Sequence, residues 1–168
     1  MTQNLTVYGH ILSPFCSIVY STINHLGLPH TEVTVDLSKN QQKEDWYLEI
    51  NPKGKVPAIK DGDLCMPETL DICKYLVKSR ELDTPFYPYK DAEKLVEFDE
   101  ILEMAKTVEP KTMELLHKLW KGPKLEGLPY PTEKKTNELK EDLYETYSDF
   151  ENFLEKSGTK FFSDNSNF

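Results

Sequence analysis

The sequence is poor in cysteine and in positive charge, and it has no long apolar run. Its three cysteines, Cys16, Cys65 and Cys73, are too few for a disulfide framework and fit a reducing compartment. Acidic residues outnumber basic ones by 29 to 20, which argues against nucleic acid as the main partner because phosphate binding needs a basic face. No stretch approaches the roughly 20 apolar residues of a membrane span. We therefore expect a cytoplasmic globular protein that binds neither nucleic acid nor membrane.

Metal-ligand spacing is also missing. The four histidines, His10, His25, His30 and His117, have no such spacing with one another or with the cysteines. Hydrophobic residues make up 38% of the chain and charged residues 29%, which is enough to bury a core. The sequence predicts a folded α/β or α+β protein without a metal site.

Short β-prone segments alternate with amphipathic ones in the first half of the chain. Strands are predicted over residues 5–8, 31–35, 56–60 and 64–66. Helices are predicted from Ser13-Pro14 to Gly27, weakly over 39–48, and over 68–78. The resulting order, β-α-β-α-β-β-α, predicts a small mixed sheet with helices on its faces.

The second half of the chain changes character after a proline-containing segment. Residues 82–89, LDTPFYPY, are predicted to be a linker between a first domain at 1–81 and a second at 90–168. Beyond it, apolar residues recur only at helical spacing. This pattern predicts two long antiparallel helices separated by a Gly/Pro loop at 122–131, or three helices if Pro110 breaks the first.

The segment Asn51-Pro52-Lys53-Gly54-Lys55-Val56-Pro57-Ala58-Ile59 is the most informative in the chain. A proline where a strand begins removes a ladder donor, so that end is an edge or a bend. A bend would leave the N–H and C=O of Val56 free to pair with an extended, peptide-like ligand. The alternative is an ordinary loop followed by an edge strand.

Two further segments lie where predicted helices begin. Ser13 can donate a hydrogen bond to an anion at the start of its helix, or it can serve as a helix cap only. Pro67-Glu68-Thr69 can form an anion pocket in which Glu68 holds an amine, or it can be an acidic first turn. Cys16 lies on the apolar face of its helix, which favours packing over reactivity.

In this order, the SPFC, NPKGKVPAI and PET segments resemble the N-terminal domain of a cytosolic glutathione S-transferase. The theta-like, serine-type branch has the nearest pattern. The resemblance is dense from Leu5 to about Arg80 and weaker through the linker and the helices that follow. It implies a thioredoxin-like domain followed by an all-helical domain, usually assembled as a homodimer. It also implies that glutathione is a co-substrate and that no metal is used.

The resemblance assigns roles to individual positions. Ser13 matches the hydroxyl that donates a hydrogen bond to the glutathione sulfur. The positions implied to bind glutathione are Val56 and the adjacent cis Pro57 for the cysteinyl part, Glu68 and Thr69 for the γ-glutamyl group, Lys55 and Gln42 for the glycine carboxylate, and Asp99 across a dimer interface. The electrophile pocket is expected near Ile11, Leu12 and Ala105.

The implied activity is conjugation of the glutathione thiolate to small hydrophobic electrophiles in detoxification. The same site is compatible with glutathione-dependent peroxide reduction or isomerisation. The alternative is a non-catalytic dimerisation or scaffold module, or an inactive fragment, because the helical domain is expected to lack its buried core helix. A dithiol oxidoreductase is excluded, since Ser13 stands where that motif has its first cysteine.

Overall fold

The computed structural model describes residues 5–84 and 87–157. Its chain divides into two compact units, Met1–Thr84 and Pro85–Phe168. The division falls inside the segment predicted to be a linker. Each unit is described by itself below.

The first unit contains the predicted order of strands and helices. Its strands are β1 Leu5–Gly9, β2 Thr31–Thr34, β3 Ala58–Asp61 and β4 Leu64–Pro67. Its helices are α1 Pro14–His25, α2 Asp45–Leu48 and α3 Thr69–Lys78. The predicted order β-α-β-α-β-β-α is therefore confirmed.

The four strands form one sheet in the order β2-β1-β3-β4. The first two strands are parallel and are joined through α1, whereas β3 pairs antiparallel with both β1 and β4. Since side chains alternate along a strand, the sheet has two apolar faces. One packs against α1 and α3 through a buried cluster, namely Leu5, Val7, Val19, Ile23, Ile59, Ile72 and Leu76. The other packs against the α2 region through Val35, Tyr47 and Ala58.

Two boundaries in this unit differ from the prediction. The third strand begins at Ala58 rather than at Val56, because Pro57 has no N–H to donate to the ladder. The segment predicted as one weak helix over 39–48 is broken into two 3-10 turns, Leu37–Lys39 and Gln41–Lys43, followed by the short α2. Asn40 interrupts it with a left-handed backbone at φ 57°.

Helices are the only regular secondary structure in the described part of the second unit. It contains α4 Ala92–Leu116, a π-helical turn at His117–Lys121, α5 Gly122–Leu125 and α6 Glu133–Ser157. Pro110 lies inside α4 and does not break it, which decides between the two predicted alternatives. Because Pro110 has no N–H, the C=O of Lys106 receives no hydrogen bond within the helix. Lys106 and Pro110 are both exposed, so water can replace that hydrogen bond. The predicted loop at 122–131 begins with the helical turn α5.

The two long helices of this unit pack along Leu139, Leu143 and Thr146 of α6, which are all buried. Lys111 of α4 donates hydrogen bonds to Asp142 Oδ1 at 2.8 Å and to Thr146 Oγ1 at 2.7 Å. Within residues 5–84 and 87–157, no helix is long and apolar enough to cross a membrane.

Candidate functional site

Register brings three chain segments to one end of the sheet of the first unit. Tyr8 near the end of β1 pairs with Ala58 at the start of β3, and Ala58 pairs with Pro67 at the end of β4. The residues that follow β1, precede β3 and follow β4 therefore share this end. These segments carry the predicted first-unit site residues other than Gln42, namely Ile11, Leu12, Ser13, Lys55, Val56, Pro57, Glu68 and Thr69.

Ser13 caps α1 with its side chain. Its extended backbone (φ −87°, ψ 119°) turns the chain into the helix, and Ser13 Oγ accepts a hydrogen bond from the Cys16 N–H at 3.3 Å. The residue is 8% exposed. A serine hydroxyl has one donor and two acceptor positions, and the cap uses only an acceptor. No described residue accepts a hydrogen bond from this hydroxyl, so its proton remains available to a ligand.

The loop before Ser13 presents two apolar side chains. Its backbone is held by His10, whose C=O accepts from the Ser13 N–H at 2.9 Å and whose Nδ1 accepts from the Leu12 N–H at 3.2 Å. Ile11 is 82% exposed and Leu12 80% exposed, although both are aliphatic. This placement is compatible with the predicted electrophile contact, which stays a prediction.

Cys16 is fully buried on α1, as predicted. Its Sγ accepts a hydrogen bond from the His10 N–H at 3.4 Å. Gly9 lies against the same helix, where a Cβ would come 2.6 Å from Tyr20 Oη and 3.0 Å from Cys16 Sγ. Burial raises the pKa of the Tyr20 phenol to about 12, so the phenol is neutral at physiological pH.

Asn51 organises the loop that leads to Val56. The residue is 1% exposed, and its Nδ2 donates to the Lys55 C=O at 2.6 Å while its Oδ1 accepts from the Lys53 N–H at 3.1 Å. The Tyr47 hydroxyl donates to the same Lys55 C=O at 2.7 Å. No role is predicted for Asn51 from the sequence, although an asparagine before Pro-Lys-Gly is a turn signal through its side-chain hydrogen bonds.

Gly54 lets Gln42 lie against this loop. Gly54 has φ 58°, and a Cβ there would come 2.7 Å from the Gln42 backbone oxygen and 2.8 Å from Lys43 Nζ. Gln42 Nε2 donates to Asn40 Oδ1 at 3.5 Å, and Gln42 Oε1 is buried without a hydrogen-bond partner among the described residues. The structure thus brings Gln42 and Lys55, the two residues predicted to bind one carboxylate, to adjacent segments.

Val56 and Pro57 are joined by a cis peptide bond, as the resemblance implies. The Val56 side chain packs against the Val35, Tyr47 and Ala58 cluster. None of the backbone hydrogen bonds found in the described part of the chain uses the N–H or C=O of Val56. Both groups are therefore available to an extended ligand, as the bend interpretation requires.

Glu68 marks the start of α3 in an unusual conformation. Its backbone has φ 72° and ψ 119°, a region that non-glycine residues rarely occupy, and its side chain does not cap the helix. Glu68 Oε1 instead accepts a hydrogen bond from Lys53 Nζ at 2.7 Å. Glu68 and the neighbouring Asp71 raise the pKa of the Lys53 ammonium. No role is predicted for Lys53 from the sequence. Its position between Pro52 and Gly54, in the segment that leads to Val56, is the only indication that it lies near the site.

Asp99 and Ala105 belong to the second unit, where both are exposed on α4. Their predicted roles stay predictions. The described residues contain no group of three or more His, Cys, Asp or Glu side chains placed to hold a metal ion.

The residues that match a known protein family lie in the first unit. Residues 7–84 match the family described as "Glutathione S-transferase, N-terminal domain". Mouse glutathione S-transferase theta-3 is 34% identical over 100 residues, which cover 60% of this chain and 41% of the mouse protein. The chain thus spans about two fifths of the length of the curated relatives it matches.

Solved structures are similar over a larger share of the chain. The apo form of human glutathione S-transferase T1-1 has a TM-score of 0.77 and 29% identity, covering 86% of this chain and 60% of the human one. A human theta-class glutathione transferase in complex with the glutathione conjugate of 1-menaphthyl sulfate has a TM-score of 0.78 and 27% identity, covering 92% and 61%. The thioredoxin-like sheet followed by a helical region is common to all of them.

Proposed function

We propose that the chain, whose residues 7–84 match the N-terminal domain of glutathione S-transferases, is a transferase that binds glutathione at the end of its sheet. Ser13 stabilises the thiolate, which attacks a small hydrophobic electrophile. The Ser13 hydroxyl carries the proposal, because it is fixed as a helix cap and still has a proton to donate. A homodimer in the cytoplasm, with Asp99 reaching glutathione across the interface, is proposed on the family resemblance alone.

The groups at this end of the sheet match the polar groups of a tripeptide. The free N–H and C=O of Val56 can pair with the cysteinyl backbone as one more strand would. The first turn of α3 has N–H groups that no side chain caps, next to the Glu68 carboxylate and the Thr69 hydroxyl, which suits the γ-glutamyl zwitterion. Lys55 and Gln42 supply a cation and an amide for the glycine carboxylate.

The proposed chemistry depends on the protonation of the glutathione thiol. A free thiol has a pKa near 8.5, whereas the thiolate is the nucleophile. Lowering that pKa by about two units requires roughly 3 kcal/mol. A charge-assisted hydrogen bond from Ser13 contributes about 1.5–3 kcal/mol. The start of α1 adds about 0.3–1 kcal/mol for a negative charge. Together the two interactions reach the required magnitude.

Replacing Ser13 with alanine tests the proposal. We expect Ser13→Ala to retain glutathione binding, measured by calorimetry, and to lose most turnover of a general aromatic electrophile. The pKa of bound glutathione, followed by the ultraviolet absorbance of the thiolate, should rise toward that of the free thiol. Loss of the cap also costs about 1 kcal/mol of stability, so activity is compared well below the melting temperature.

Ser21→Ala is the matched control, because Ser21 is an exposed serine on the same helix. It should change neither turnover nor the thiol pKa. A folded wild-type protein that neither binds glutathione nor conjugates it would contradict the proposal and favour a non-catalytic module. Equal turnover of Ser13→Ala and wild type would remove Ser13 from the mechanism.

A further inference from the structure

The carboxylate proposed to hold the ligand's amine is already paired with a cation of this chain. Lys53 Nζ lies 2.7 Å from Glu68 Oε1, and the two side chains are 63% and 52% exposed. An exposed ion pair contributes little to stability, so it can be exchanged at small cost. A ligand that brings its own ammonium to Glu68 has to displace Lys53.

Both charges of this pair project from fixed backbone. The Lys53 N–H is bound by the buried Asn51 side chain at 3.1 Å. Glu68 is held at φ 72°, and its C=O accepts from the Ile72 N–H in the first turn of α3 at 2.9 Å. The lysine side chain is flexible and bears three donors, so it can move its charge while its Cα stays in place.

An α-amino acid end carries an ammonium and a carboxylate on the same carbon. When its ammonium binds Glu68, its carboxylate arrives beside the displaced Lys53. One ion pair is lost and two are formed. A ligand with the amine alone breaks the Lys53–Glu68 pair without replacing it, and a ligand with the carboxylate alone leaves Glu68 facing a second negative charge.

We propose that Lys53 is a specificity-determining residue that exchanges Glu68 for the α-carboxylate of the γ-glutamyl group and so selects ligands with a zwitterionic end. This inference rests on the proposed glutathione site and adds a residue to it. The exchange distinguishes glutathione from ligands that carry only the ammonium or only the carboxylate, because neither of those can replace the Lys53–Glu68 pair with two new ion pairs.

Calorimetric titration of the full chain with three thiol tripeptides tests the inference. The ligands are glutathione, the analogue without its α-amino group and the analogue without its α-carboxylate. Wild type should bind glutathione at least tenfold more tightly than either analogue. Lys53→Met should weaken glutathione about tenfold and weaken the deaminated analogue similarly. Its affinity for the decarboxylated analogue should be equal to that of wild type or higher, since Glu68 is no longer occupied.

Two further variants exclude a general effect of charge. Lys39→Met removes a lysine from an exposed ion pair with Asp36 in the same unit and should leave all three affinities unchanged. Lys53→Arg retains the cation and should restore the preference for glutathione.

The outcomes separate this inference from the proposed function. If wild type binds glutathione and Lys53→Met changes no affinity, Lys53 is a surface residue and the inference alone is overturned. Tighter glutathione binding by Lys53→Met would make Lys53 a pure competitor and would also overturn it. If wild type binds no glutathione, both the function and the inference are rejected.

Discussion

The backbone of Glu68 is the most unusual conformation at the candidate site. At φ 72° and ψ 119°, a residue with a Cβ is strained by about 1–3 kcal/mol, whereas glycine is not. We therefore expect Glu68→Gly to be more stable than Glu68→Ala by about 1 kcal/mol, after the larger unfolded-state entropy of glycine is included. Urea unfolding of the two variants measures the difference.

The same pair of substitutions at Lys74 is the matched control, because Lys74 lies in the middle of α3. There alanine should be the more stable by about 1 kcal/mol, which reverses the sign. Both Glu68 variants remove the carboxylate, so they should weaken glutathione binding equally. Equal stability of the two would show that the Glu68 backbone is not strained in solution.

At the scale of elements, β3 and α3 are tied together by a largely buried ion pair. Arg80, just after α3, donates to Asp61 Oδ2 at 2.7 Å at the end of β3, and the two side chains are only 6% and 13% exposed. The Tyr75 hydroxyl donates to the same oxygen at 3.1 Å. Removing one partner of a buried pair leaves the other charge uncompensated.

Arg80→Met should therefore destabilise the first unit by about 3 kcal/mol. Adding Asp61→Asn should recover part of that loss, since it removes the uncompensated charge. Lys94→Met, which breaks an exposed pair with Asp91, should cost less than about 1 kcal/mol. Chemical denaturation of wild type, Arg80→Met, the double variant and Lys94→Met gives the four free energies of unfolding. If Arg80→Met lost as little stability as Lys94→Met, the Arg80–Asp61 pair would not stabilise the first unit.

Local sequence signals were sufficient to predict the helices and strands, but not the side-chain contacts between them. The Ser13-Pro14 start of α1 and the strand order could be read from the sequence, because capping, proline position and apolar spacing act within a few residues. The Lys53–Glu68 pair could not, since it joins residues that only the β3–β4 pairing brings together. Pro110 was ambiguous because the exposure of the orphaned carbonyl decides whether a proline breaks a helix.

At the scale of the whole chain, positive charge at the site contrasts with the net charge of −9. Lys53 and Lys55 precede β3 at the end of the sheet that carries the candidate site, and Lys43 Nζ donates to the Lys53 C=O at 3.4 Å. A mostly acidic surface repels anions, so local cations are needed to hold an anionic tripeptide.

The chain carries two tryptophans, one in each unit, and they can report separately where glutathione binds. Trp46 lies on α2 of the first unit and Trp120 on the π-helical turn of the second. Both are partly exposed, so phenylalanine can replace either one without a large cavity.

At a glutathione concentration 100 times the Kd, binding stabilises the folded form by about 2.7 kcal/mol. The Trp120→Phe variant, followed through Trp46 fluorescence, should show this stabilisation in denaturant unfolding, because the proposed contacts lie at the end of the sheet in the first unit. The Trp46→Phe variant measures how far the second unit shares it. Stabilisation seen through Trp120 but not through Trp46 would place the ligand on the helical unit and contradict the site proposed at the end of the sheet.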